Sequence, residues 1–221
     1  MPSPAQEAQP QDAELEAVAS ALRALDPEGT RTAQVLRDTL DQLYDGQRTR
    51  RFRWDQLFKT EKTHCGTLVE INLQREFKFQ DGTKLDYHIA GVDVDCKYSQ
   101  TCYAWMIPPE AHGHICLVVW AEDTKDPKWS VGLVRVTADR LHTAGNRDAK
   151  ATLNQEGRNA VVWLSDKAPL PPNVFLQLDA DKVAKIMALK SGVRRVDELS
   201  RLSILGAVFG YFPGVSPRLC Q

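Results

Sequence analysis

The sequence lacks a long apolar run, a paired-cysteine motif and any excess of charge of one sign. Its longest uninterrupted apolar stretch, 115–121, is far too short to cross a bilayer, which takes about 20 residues. The five cysteines (Cys65, Cys96, Cys102, Cys116 and Cys220) are odd in number, scattered and free of any Cys-x-x-Cys spacing. That argues against a disulfide framework and for a reducing, cytoplasmic setting. The opening MPSPAQEAQPQD has neither a basic nor an apolar segment, so no secretory signal is expected. No internal repeat is visible. What remains is ordinary globular composition: 221 residues, 43% hydrophobic, 26% charged, net charge −1. A wholly disordered chain is excluded. The length allows one full-sized domain with a small appendage, or two small domains.

The near-zero net charge hides a segregation. Over residues 1–29 the acids are Glu7, Asp12, Glu14, Glu16, Asp26 and Glu28, against Arg23 alone. Over 48–62 the bases are Arg48, Arg50, Arg51, Arg53, Lys59 and Lys62, against Asp55 and Glu61. Such a basic stripe can meet phosphates even in a neutral protein. The aromatics Phe52 and Trp54 lie within it and can anchor the loop. Read alone, the stripe fits a solvated charge run equally well.

Residues 1–11, rich in proline, read as a disordered lead. Asp12 can cap a helix over 13–25, where Leu15, Val18, Leu22 and Leu25 recur at helical spacing. A second helix fits 31–44, and 54–59 can form a helical turn. Helix is expected again over 63–75. From Phe77 the period changes. Strands are expected over 84–90 and 92–98, joined near Ala90-Gly91, then over 115–121 and 130–136. The apolar 115–121 suits a central strand buried on both faces. Helix is expected over 154–164, strand over 174–178, and helix over 180–189 with Asp179 as its cap. This order predicts an α/β fold, a mixed central sheet flanked by helices. Residues 193–208 carry a further apolar helical stripe that needs a partner surface.

The candidate chemistry lies in Asp86, Asp93, Asp95 and Lys97. Strand alternation puts Asp93, Asp95 and Lys97 on one face, and a hairpin brings Asp86 close. Glu70, among apolar neighbours on the preceding helix, is a further acid. Phosphodiester hydrolysis drives an anionic nucleophile at an anionic phosphate. Carboxylates that bind Mg²⁺ reverse the local charge, and a neighbouring lysine activates water or stabilises charge. The alternative is a solvated polar sheet face, although Asp is disfavoured in strands. Cys102, His112, His114 and Cys116 match no standard zinc spacing and read as core or hairpin residues. The five tryptophans read as core rather than as a stacking platform.

Several runs carry a family resemblance: TLDQLYDGQRT at 39–49, RWDQL at 53–57, KTEKTHCGTLVEINLQREF at 59–77, IAGV at 89–92, DCK at 95–97 and GHICLV at 113–118. Over about residues 30–162, and again at RVDEL over 195–199, the chain resembles the NaeI family of type II restriction endonucleases. The resemblance implies a restriction-endonuclease fold and a dimeric, Mg²⁺-dependent enzyme cutting both strands of a palindromic, GC-rich duplex DNA site. It implies Glu70, Asp86, Asp95 and Lys97 as catalytic residues. Asp86 and Asp95 would hold the metal, with Glu70 direct or through water and the Cys96 carbonyl completing the shell. Lys97 would be the water-activating base or charge stabiliser. Arg48, Arg50, Arg51, Arg53, Lys59 and Lys62 would meet DNA. The domains implied are an endonuclease domain over 12–164, a connecting region over 165–192, and over 193–221 an incomplete second DNA-binding domain, the start of a winged helix. Two other functions stay open: a DNA-binding remnant without turnover, and a repair-type nicking enzyme.

Overall fold

The computed structural model describes residues 12–142 and 150–190, together with Gly192, Arg194, Arg195 and Glu198. The expected lead over 1–11 lies outside the described residues. So does the expected second DNA-binding domain over 193–221, apart from those last three positions.

The chain opens with α1 (Ala13–Leu25) and α2 (Thr30–Tyr44). Asp12 caps α1, its side chain accepting from Leu15 N at 3.1 Å. Gly29 is the N-cap of α2, and Asp26 from the preceding turn accepts from Thr32 N in its first turn at 2.8 Å. Between the two helices Gly29 takes φ +68°, and a Cβ there would lie 2.9 Å from Trp129, so only glycine passes. A short α3 (Gly46–Thr49) and a 3₁₀ turn (Trp54–Gln56) lead to the long α4 (Lys59–Phe77). Helix α2 packs along α4, with Asn72 on α4 donating to Thr39 at 2.9 Å.

Among the described residues six strands follow: β1 (Gln80–Asp81), β2 (Tyr87–Ile89), β3 (Val92–Ser99), β4 (Ile115–Glu122), β5 (Lys128–Arg135) and β6 (Val162–Pro169). They lie in one sheet in sequence order. All neighbours are antiparallel except β3 and β4, which run parallel. A parallel pair needs a crossover, and residues 100–114 supply it through a 3₁₀ turn (Pro109–Ala111). The α/β fold with a mixed sheet is therefore as expected.

The sheet divides the core. On one face Val94, Cys96, Ile115, Leu117 and Leu133 pack beneath α1, α2 and α4. On the other face Cys116, Val118, Trp120 and Val134 pack with Trp105, Ile107 and Leu153. Strand β4 feeds both layers and is buried along its length up to Glu122, as its continuous apolar sequence requires.

Two element expectations fail. The helix expected over 154–164 is a short α5 (Gln155–Asn159) followed by β6. Val162 and Trp163 pair with Leu133 and Gly132, and ladder bonds on the open edge of β5 outweigh local helical preference. The strand expected over 174–178 is the helical turn α6 (Val174–Gln177), started by Asn173, whose side chain accepts from Phe175 N at 3.1 Å. A three-residue apolar run does not by itself distinguish the two. The next helix, α7 (Ala180–Ala188), follows Asp179 at the N-cap position, though no side-chain capping bond forms there. Strand β6 crosses residue 164, so the sheet extends into the expected connecting region.

Candidate active site

The β2–β3 hairpin builds the site. Ala90 and Gly91 both have positive φ, +50° and +82°, the pattern of a two-residue type I′ turn. This sets His88 opposite Asp93 and Tyr87 opposite Val94. Continuing that register places Asp86 beside Asp95. The Asp86 carboxylate accepts from Cys96 N at 2.7 Å, which ties the strand entering β2 to the middle of β3.

Asp95 and Lys97 share the face opposite Val94 and Cys96. Lys97 Nζ donates to Asp95 Oδ1 at 2.7 Å and to the Cys96 carbonyl at 3.0 Å. It lies 3.7 Å from Asp86 Oδ2. One cation is thus surrounded by three hard oxygens, those assigned above to a metal. Asp95 is buried, only 3% exposed. Burial pushes its carboxyl pKa up, and Asp86 adds to the effect, while Lys97 opposes both. Burial also works against the Lys97 ammonium, but the hydrogen bond to Asp95 and the fields of Asp95 and Asp86 prevail and hold its pKa above the ordinary lysine value.

Glu70 reaches this neighbourhood from α4, across the sheet. Tyr87 Oη donates to the Glu70 carbonyl at 2.8 Å and fixes that turn of the helix against β2. The Glu70 carboxyl is half-buried, and its pKa is raised first by burial and then by Asp86 and Asp95. Glu70, Asp86 and Asp95 do not close into a cage: among the described residues no three His, Cys, Asp or Glu side chains gather tightly enough to hold a metal ion. The oxygens around Lys97 Nζ nevertheless suit Mg²⁺, a hard ion that binds through one or two carboxylates and completes its shell with water and phosphate oxygens.

Asp93 stands apart. It accepts from Thr83 N and Lys84 N at 3.0 Å each and pairs with His88 at 2.9 Å, so it shapes the turn before β2. Cys116, expected as a core or hairpin residue, is buried and lies opposite Asp95 on β4, its thiol 3.5 Å from Asp95 Oδ2. The parallel β3–β4 register alone makes that contact, and no local pattern announces it. Cys102 is exposed and does not join it.

The basic stripe divides by environment. Arg48, Arg50, Arg53 and Lys59 are exposed. Arg53 pairs with Asp55 at 3.1 Å. Arg51 instead grips Glu61 through bonds of 2.6 and 2.7 Å. Lys62 lies over the Trp54 ring at 6.0 Å. Lys59 and Lys62 share α4 with Glu70, so the stripe begins roughly 12–17 Å along the helix axis from that acid.

Sequence reasoning missed the support beneath the stripe. Asp123, just past β4, is held by Arg37, by Tyr44 Oη at 2.7 Å and by Asn173 Nδ2 at 3.0 Å. Asn173 also donates to the Phe52 carbonyl at 2.8 Å, so the network pins the basic loop to the sheet. Nothing in the local sequence of these distant residues could have revealed it. Among the described residues no helix is long and apolar enough to cross a membrane.

Comparison with known proteins gives two findings. The family model described as "Restriction endonuclease NaeI" matches residues 16–206. A protein of Lentzea aerocolonigenes, "Type II restriction enzyme NaeI", is 56% identical over 205 residues, covering 90% of this chain. The chain spans 64% of that relative's length.

Proposed function

This chain belongs to the NaeI restriction endonuclease family, and on that premise we propose that it is a Mg²⁺-dependent endonuclease that hydrolyses both strands of duplex DNA at a specific site. The observation that supports this is the convergence of Asp86, Asp95 and the Cys96 carbonyl on the Lys97 ammonium, which gathers at one point the oxygens that a divalent cation would take. A divalent cation bound there supplies Lewis acidity at the phosphate under attack.

The protein's own groups supply the rest. Asp86 and Asp95 provide the negative charge that holds a cation, and the hairpin turn fixes their spacing. Lys97, kept charged by its acidic neighbours, presents N–H donors to charge developing on the phosphate oxygens, which favours the charge-stabilising role over the base. Glu70 adds a negative field from α4 and can orient a water. Arg48, Arg50, Arg53, Lys59 and Lys62 hold the DNA backbone by charge. Arg51, committed to Glu61, holds the loop that presents them.

By family resemblance the substrate is a GC-rich palindrome, and a homodimer matches the two-fold symmetry of such a site. The free thiols of Cys65, Cys96, Cys102 and Cys116 suit a cytoplasmic protein.

The test is digestion of a fully sequenced plasmid with Mg²⁺, and again with EDTA. Discrete bands that vanish with EDTA are expected. A persistent singly nicked form would replace this proposal with the repair-type activity. DNA binding without cleavage would replace it with a binding protein lacking turnover.

A further inference from the structure

Phe58 is 74% exposed, against 45% or less for the other exposed large hydrophobic side chains among the described residues. It sits at the N-cap position of α4, the helix that carries Glu70. Its backbone is anchored. Phe58 N donates to Glu61 Oε2 at 2.8 Å, and Glu61 is held by the two-bond grip of Arg51. The Arg51 guanidinium lies 5.8 Å from the centre of the Phe58 ring. A phenyl ring therefore stands in solvent on an anchored stretch of backbone, its apolar surface left uncovered.

The surroundings of the ring identify its occupant. Arg53 and Lys59 flank it in the chain and are exposed, and Lys62 follows one turn along α4. Asp55 is the acid nearby, already paired with Arg53, and Glu61 is consumed by Arg51. An apolar protein partner would find this rim hostile. A polyanion with apolar faces inside, which is duplex DNA, matches both the rim and the ring. Apolar side chains set among cations commonly enter a groove and press against base steps.

We propose that the Phe58 ring is the apolar contact between this protein and the bases of duplex DNA, while Arg53, Lys59 and Lys62 hold the phosphates around it. The inference rests on the proposed DNA-binding function and adds to it a contact that is not electrostatic.

The experiment measures binding of the full chain to linear plasmid DNA in EDTA across a series of salt concentrations. Wild type, Phe58→Ala, Phe58→Leu and Lys59→Ala are compared. Unfolding curves check that each variant folds, and sedimentation gives the oligomeric state. Phe58→Ala should weaken binding about tenfold at every salt concentration and leave the slope of log K against log salt unchanged. Phe58→Leu should recover part of the loss. Lys59→Ala should reduce the slope by roughly one, as expected for a lost phosphate contact.

Phe58→Ala binding like wild type would overturn the inference and leave the proposed function standing. A slope altered by Phe58→Ala would also overturn it, because the ring would then act by placing cations. A change in oligomeric state with DNA affinity intact would assign the ring to contact with a second copy. Wild type that binds no duplex at any salt concentration would overturn both the inference and the proposed function.

Discussion

Arg37 on α2 and Asp123 beyond β4 lie 86 residues apart in sequence and meet through hydrogen bonds of 2.7 and 3.3 Å. Both side chains are buried, at 5% and 0% exposure. Burial works against the Arg37 charge, but Asp41 and Asp123 hold the guanidinium above its ordinary pKa. The pair ties the helical layer to the sheet, and through Asn173 to the loop at Phe52.

Asp123→Ala should therefore cost about 3–5 kcal/mol of stability, because it removes the buried carboxylate shared by Arg37, Tyr44 and Asn173 and leaves Arg37 with Asp41 alone. Urea unfolding of variant and wild type measures this. A loss well under 1 kcal/mol would mean that water reaches the pair.

Lys97→Ala should lower the cleavage rate by roughly 10²–10³-fold, the usual cost of removing one donor that stabilises charge in the transition state. DNA affinity should hardly change, since one partly buried cation is removed far from the stripe. Single-turnover cleavage and metal-free binding separate the two effects. Equal loss of both would make Lys97 a structural residue.

Asp95→Asn keeps the shape of a buried side chain and removes its charge. No cleavage should be detectable. Without metal the variant should bind DNA at least as well as wild type, since a carboxylate close to phosphate costs about 1–4 kcal/mol at the dielectric of water or of a protein surface. Much weaker binding would place Asp95 in the framework of β3 rather than at the phosphate.

Asp12 gives a pH prediction. Its pKa is lowered below 3.8, chiefly by the hydrogen bond from Arg135, which also reaches Asp12 through Nη2 at 2.8 Å. A depressed carboxyl contributes stability that is fully present above its unfolded value near 3.8 and fades as pH falls through the folded value. Asp12→Asn should thus be less stable than wild type by roughly 1 kcal/mol at pH 7. The gap should narrow as pH drops below about 3.8. Chemical denaturation at several pH values checks it, and a gap that stays constant would remove the ion pair from the account.

Much of the framework was legible locally. The Leu15, Val18 and Leu22 spacing marks α1, and Asp12 marks its start. Ala90-Gly91 marks a tight turn that brings Asp86 close, and strand alternation gives the shared face of Asp95 and Lys97. The segment 154–164 was not legible, because Val162–Pro169 becomes a strand only when β5 offers it an edge. The segment at 174 turns helical because Asn173, itself fixed by Asp123, caps it.

By itself, then, the sequence determined the long helices, the hairpin and the acid-x-lysine pair, since helix and strand periods and turn chemistry act over a few residues. Tertiary structure decided that Glu70 comes to Asp86 from the far layer and that Cys116 lies against Asp95. It also decided that Asp123 carries the weight of the basic loop. Each of these joins segments whose partners no local period encodes, and only sheet register and helix packing bring them within reach.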